Sequence, residues 1–159
     1  HDEGYRAYKG LVPTYELIYL VTTEQDILTE SVIKHNDQVL LYRLTIPLNT
    51  QRILLRSLFE EAQMLETNPR FYHLFASNCT TMLADAANLA APGSVPLHYS
   101  WLLPGFSDKY LYDLGYLDTS ISFAQLQAKA DVSSQIRQLH TLDDAKEFSQ
   151  RLRQASLQP

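Results

Sequence analysis

Five breaks decide which regular elements this chain can build. Pro47, Asn68-Pro69, Pro92-Gly93, Pro104-Gly105 and Gly115 fall between its periodic stretches. A proline lacks the amide that helix or strand interiors need, and it pushes the residue before it away from helical geometry. Between the first two breaks, Asn49 or Thr50 opens a helix through about Glu66, with Leu54, Leu58, Ala62 and Leu65 as its buried stripe. A second helix follows Ser77-Asn78, either of which can cap it, and runs to about Ala91 before Pro92-Gly93. Ser94 to Gly105 reads as loop, and Ser107 to Leu114 as a short helix closed by Gly115. Beyond that, Phe123, Leu126 and Ala130 recur at helical spacing. Thr141-Leu142-Asp143-Asp144 has the form of a capping box with Asp in place of Glu, and Ala145, Phe148 and Leu152 follow on one face.

Two segments read as strands. Tyr15 to Val21 is apolar on both faces, the pattern of a buried strand. Gln38 to Ile46 alternates, with Leu40, Tyr42, Leu44 and Ile46 on one face and Pro47 as its end. Gly4 to Pro13 reads as loop, and Thr22 to Asp37 is ambiguous between helix and strand. The predicted fold class is therefore α+β, a small antiparallel sheet packed against helices, with a helical C-terminal tail.

Composition excludes several function classes. Hydrophobic content of 45% and charged content of 19% fit a globular chain, and 159 residues suffice for a real core. The net charge of −5 comes with no Lys/Arg cluster, so nucleic-acid binding lacks its electrostatic footprint. No apolar run approaches the ~18 residues of a membrane span. Ten tyrosines, six phenylalanines and Trp101 suit either a packed core or an apolar groove. A single cysteine and scattered histidines give no zinc spacing, and no phosphate-cradling glycine loop or Gly-x-Ser-x-Gly elbow occurs. No cofactor or metal is expected. The paired carboxylates Glu60-Glu61 and Asp143-Asp144 fall on predicted helix surfaces, where solvation is their ordinary role.

The chemistry concentrates at Asn78-Cys79-Thr80-Thr81. Cys79 is the only cysteine, and the predicted cap places it in the first turn of a helix. Free amides and the positive dipole end there favour an anion, and the thiolate is the reactive form of cysteine. Such a thiol suits a nucleophile whose neighbouring amides hold an oxyanion, with Asn78 as both cap and oxyanion support. The competing reading is a buried cysteine acting as a small hydrophobe. Thr80 and Thr81 could place hydroxyls near the thiol or satisfy helix-start amides. Asp85, two turns into the helix, reads as solvated.

A thiol nucleophile usually works with a histidine base. Five histidines are available: terminal His1, His35 before the second strand, His73 six residues before Cys79, His98 in the loop after the helix, and His140 before the last helix. None carries a flanking motif that singles it out.

The Asn-Cys-Thr-Thr stretch, following aromatic Phe71 to Ala76, resembles the signature of the Lnb N-terminal periplasmic domain family. Val39 to Leu48 resembles the family's strand leading into a helix. Leu102-Leu103-Pro104-Gly105 and Tyr112 to Asp118 resemble its tail. The likeness runs from roughly Gly4 to Asp118, implying a family domain over 1–118 and a helical tail over 119–159. It implies a bacterial envelope protein, periplasmic or otherwise extracytoplasmic, and a circularly permuted papain-like thiol fold. It also implies acyl transfer or hydrolysis through a Cys79 thioester, extending to lipoprotein N-acylation. The expected partner is a lipid or lipoprotein acyl substrate, with peripheral membrane contact. The family pattern carries a Gly-His element on a strand well before the cysteine, and no Gly-His pair occurs here. The chain then reads as a piece whose family histidine lies before residue 1, leaving His35 as the upstream base candidate. Two alternatives stay open: a non-catalytic envelope module binding a partner or lipid through its Tyr/Trp-rich loop, and a cysteine peptidase or amidase of related fold.

Overall fold

The computed structural model describes residues 15–73 and 76–156. The loop read over Gly4 to Pro13 and His1 lie outside them. The described residues hold seven α-helices: α1 (Glu24–Thr29), α2 (Leu48–Thr67), α3 (Cys79–Ala90), α4 (Ser107–Asp113), α5 (Phe123–Ala130), α6 (Ser133–Leu139) and α7 (Ala145–Ser156). A π turn, Glu30–Lys34, continues α1, and two 3₁₀ turns, Tyr99–Trp101 and Pro104–Phe106, precede α4.

The predicted α+β class with its antiparallel sheet is incorrect, and the permuted papain-like arrangement falls with it. Among the described residues extended backbone meets only in isolated bridges, Glu16 with Phe71, Leu40 with Asp131 and His73 with Ser77. The physical reason lies in the partners. Tyr15 to Leu17 exchanges two backbone bonds with Arg70 and Tyr72, just after the Pro69 break. Val39 and Leu41 bond to Val132 and Ala130 at the α5–α6 corner. Among the described residues neither pairing extends beyond a single bridge, so no ladder propagates there. Tyr15 to Val21 is not buried either: Ile18, Leu20 and Val21 are each more than 70% exposed. In Gln38 to Ile46, Val39 and Leu41 pack on the core of the second unit, Leu40, Tyr42 and Ile46 are half-buried, and Leu44 is exposed.

The described residues divide into two compact units, one within 15–19 and 45–116, the other within 20–44 and 117–156. In the first unit α2 packs on α3. Leu65 and Ser57 are buried, and Leu54, Leu58 and Ala62 are half-buried, so the predicted stripe faces inward. Ala84, Val95 and Tyr110 form a core cluster with Trp101, Leu114 and Tyr116 against it. The chain reverses after α3 through Gly93, whose φ of 74° favours glycine. Asn88 then pairs with both backbone groups of Val95, and Tyr110 and Tyr116 donate to the Pro96 and Ser94 carbonyls. The Tyr19 hydroxyl donates to Glu61, which also pairs with Arg70. Burial first, and the Glu61 charge second, push the Tyr19 phenol up to about 12.

The second unit closes around Val32, Val132, Ile136, Phe148 and Leu152, none with accessible surface. Leu28, Leu139 and Leu142 pack against this cluster. The cap of α7 is Asp144, whose carboxylate accepts from the Lys146 amide, one turn later than the Thr141 expected from the sequence. Asp131 ties the α5–α6 corner to residues 38–39: it accepts from the Ser133 amide and from Gln38, and Ser133 Oγ accepts from the Val39 amide. Bonds from the Ser133 hydroxyl, Gln38 and the Ser133 amide hold its carboxyl below the ordinary carboxylate value. A folded-state value below the unfolded one stabilises the fold at neutral pH, and that contribution is lost as pH falls through the folded value. Asp131→Asn is thus expected to lower Tm at neutral pH, with the gap to wild type closing in acid as pH falls through the folded-state value. Thermal melts at neutral and acid pH check this, and a gap that persists in acid would assign the loss to shape rather than charge.

Candidate functional site

Cys79 is the first residue of α3, and it is exposed. Its placement follows from Asn78, which is 2% exposed and extended at φ −108°, ψ 171°. Asn78 Oδ1 accepts from the Thr80 and Thr81 amides, each at 2.8 Å. Thr81 Oγ1 accepts from the Asn78 amide at 2.9 Å, completing a reciprocal capping box. Asn78 Nδ2 donates to the Trp101 carbonyl at 2.9 Å, tying the helix start to the 3₁₀ turn Tyr99–Trp101. The helix-start amides are therefore mostly committed: Thr80 and Thr81 to Asn78 Oδ1, Met82 to the Asn78 carbonyl. The Cys79 N–H has no acceptor among the described residues, and it lies on the same residue as the thiol. An N–H in that position can donate to an oxyanion formed on a carbonyl that Sγ attacks.

The polar surroundings of Sγ are sparse. Thr80 Oγ1 approaches it at 3.9 Å, and among the described residues no imidazole lies within hydrogen-bonding distance. His35 ends the π turn in the second unit and is exposed. His73, in the first unit, exchanges backbone bonds with Ser77 just ahead of the cap. His140 sits at the end of α6, its Nδ1 2.8 Å from the Arg137 carbonyl. Asp85 is exposed on α3, whereas Glu61 is engaged by Arg70 and Tyr19 rather than simply solvated.

Sequence reasoning missed His98, Ser100 and Trp101 as parts of this arrangement. His98 caps the 3₁₀ turn: its Nδ1 accepts from the Ser100 amide at 3.3 Å and lies 3.0 Å from Ser100 Oγ. Its ring stacks on Tyr110, with centroids 4.0 Å apart and planes 3° from parallel. Histidine is not a favoured cap, so only Pro96 ahead of the turn and the short His-x-Ser spacing could have signalled it. The turn and its neighbours carry exposed apolar side chains: Leu97, Tyr99, Leu103 and Phe106.

Among the described residues no group of three or more His, Cys, Asp or Glu could hold a metal ion, and no helix is long and apolar enough to cross a membrane. No curated protein and no solved structure matches the chain. The family model of the Lnb N-terminal periplasmic domain matches residues 1–105, including the Asn78-Cys79 cap and the 3₁₀ turn that anchors it. The chain therefore belongs to the Lnb N-terminal periplasmic domain family, a domain of the bacterial cell envelope.

Proposed function

We propose that the chain performs thiol-dependent acyl transfer or hydrolysis at Cys79. The observation that carries this reading is an exposed thiol on the first residue of α3 whose own amide is the uncommitted donor of that turn. In this scheme the thiol proton passes to solvent, and Sγ attacks the carbonyl carbon of an ester. The Cys79 N–H, with the dipole of a 12-residue helix behind it, stabilises the tetrahedral oxyanion. Collapse breaks the bond to the alcohol oxygen, which takes a proton from water, and leaves a Cys79 thioester. An amine or water then takes the acyl group and restores the thiol. Asn78 holds the helix start in this geometry through its bonds to the Thr80 and Thr81 amides and to the Trp101 carbonyl. His35 as base would be tested by His35→Ala. The exposed Leu97, Tyr99, Leu103 and Phe106 support a lipid or lipoprotein acyl donor met at a membrane surface. Lipoprotein N-acylation is the finer form of the proposal.

The test is covalent capture of an acyl group from a lipid ester or thioester reporter, read by intact mass. Wild type should gain one acyl group, and Cys79→Ser should gain none while keeping its circular dichroism spectrum. Unchanged acyl release by folded Cys79→Ser would remove the thiol mechanism. A second reading, a non-catalytic envelope module, is favoured by the lack of an imidazole at Sγ among the described residues. Absence of capture together with saturable vesicle binding would select it.

A further inference from the structure

We infer that His98 is a positioning residue for Cys79, acting through the hydrogen bonds of the 3₁₀ turn and of the Asn78 cap. The inference rests on Cys79 being the reacting group, as read above.

The chain of bonds starts at the imidazole. Because the Ser100 backbone N–H donates to His98 Nδ1, that nitrogen is an acceptor, and the ring proton of the neutral imidazole sits on Nε2. The flat stack on Tyr110 fixes the ring plane, and Tyr110 is itself held by its bond to the Pro96 carbonyl. Ser100 is 1% exposed, so its amide has no water to fall back on if the acceptor is lost. The Trp101 amide bonds the His98 carbonyl at 3.1 Å, which closes the turn and fixes where the Trp101 carbonyl points. That carbonyl receives Asn78 Nδ2, and Asn78 Oδ1 holds the first amides of α3 beside Cys79. Each link is buried or half-buried, and each uses a specific donor or acceptor. A change at His98 therefore reaches the thiol through geometry, with no direct contact between the two.

Two properties of His98 are separable: the acceptor at Nδ1 and the stacked ring. Asparagine can supply the acceptor without the ring, and phenylalanine the ring without the acceptor. In the full chain, backbone amide exchange at Thr80 and Thr81 reads the last link directly. His98→Ala and His98→Phe should speed exchange there by roughly five- to tenfold, the loss expected from one cap, while His98→Asn stays near wild type. The Leu65 amide in α2 is the control, because general destabilisation would speed it equally. Capture of the acyl reporter should fall in the same order, with His98→Asn retaining it. Unchanged Thr80 and Thr81 exchange in His98→Ala would overturn the inference. So would rescue by His98→Phe but not by His98→Asn, which would make the ring an ordinary packing element. If the alanine variant does not fold, the asparagine and phenylalanine pair still decides. A wild type that captures no acyl group would remove the thiol reading, while the exchange pattern would still decide whether His98 holds the Cys79 turn.

Discussion

Phe148→Ala is expected to remove about 3–5 kcal/mol of folding stability, the range for emptying a buried aromatic site. The ring is fully buried among Val32, Val132, Ile136 and Leu152, which also have no accessible surface. Those neighbours come from four separate parts of the second unit: the π turn, the α5–α6 corner, α6 and α7 itself. None can move into the void without leaving its own contacts, so the transfer loss and the cavity term both apply. The control is Leu89→Ala, whose side chain is mostly exposed on α3 and which should change stability by no more than about 0.5 kcal/mol. Urea unfolding followed by circular dichroism measures both. A loss below about 1 kcal/mol at Phe148 would mean that this core is not closed.

Asn78→Ala should cost about 2–3 kcal/mol, more than an ordinary cap. The side chain works at both ends, so its removal orphans the Thr80 and Thr81 amides and the Trp101 carbonyl together. Asn78→Asp separates the two ends. Aspartate keeps the acceptor for the helix amides and favours the helix dipole, but it cannot donate to Trp101. It should recover part of the loss while leaving the 3₁₀ turn untethered. Trp101, the sole tryptophan, packs in the first unit, so its fluorescence during urea unfolding reports on this site. Equal stability of the alanine variant and wild type would show that the capping box is not what fixes the start of α3.

The sequence revealed the elements that depend on local chemistry. Pro69, Gly93 and Gly115 bound α2, α3 and α4 within a residue or two of expectation, because each break acts on its own neighbours. Asn78 as cap and Cys79 in the first turn were legible for the same reason. What failed depended on partners. An alternating apolar segment such as Gln38 to Ile46 becomes a strand only when another strand lies beside it, and here its neighbour is a helix corner. With no ladder among the described residues, the segment is held by packing, Val39 and Leu41 lying against the cluster of Val32 and Val132. The site shows the same division. The thiol and its cap could be read locally, but the Trp101 carbonyl lies 23 residues further on, and nothing in the local sequence points to it.

The interleaving of the two units bears on the order in which the chain can fold. Glu24 pairs with Arg153, 129 residues apart, and Gln25 bonds the Leu142 carbonyl across 117. Residues 20–44 therefore have no core of their own until α6 and α7 have been made. The first unit is drawn from residues up to 116, and its α2–α3 pair can form from neighbouring sequence. Contacts of such long range are slow to close, because their loop entropy is lost before burial compensates it. The second unit should thus form late, with Val32, Val39 and Leu41 exposed in the meantime. A chain stopped before α7 would keep the Cys79 turn but leave that apolar surface open, making the last helix the safeguard against aggregation.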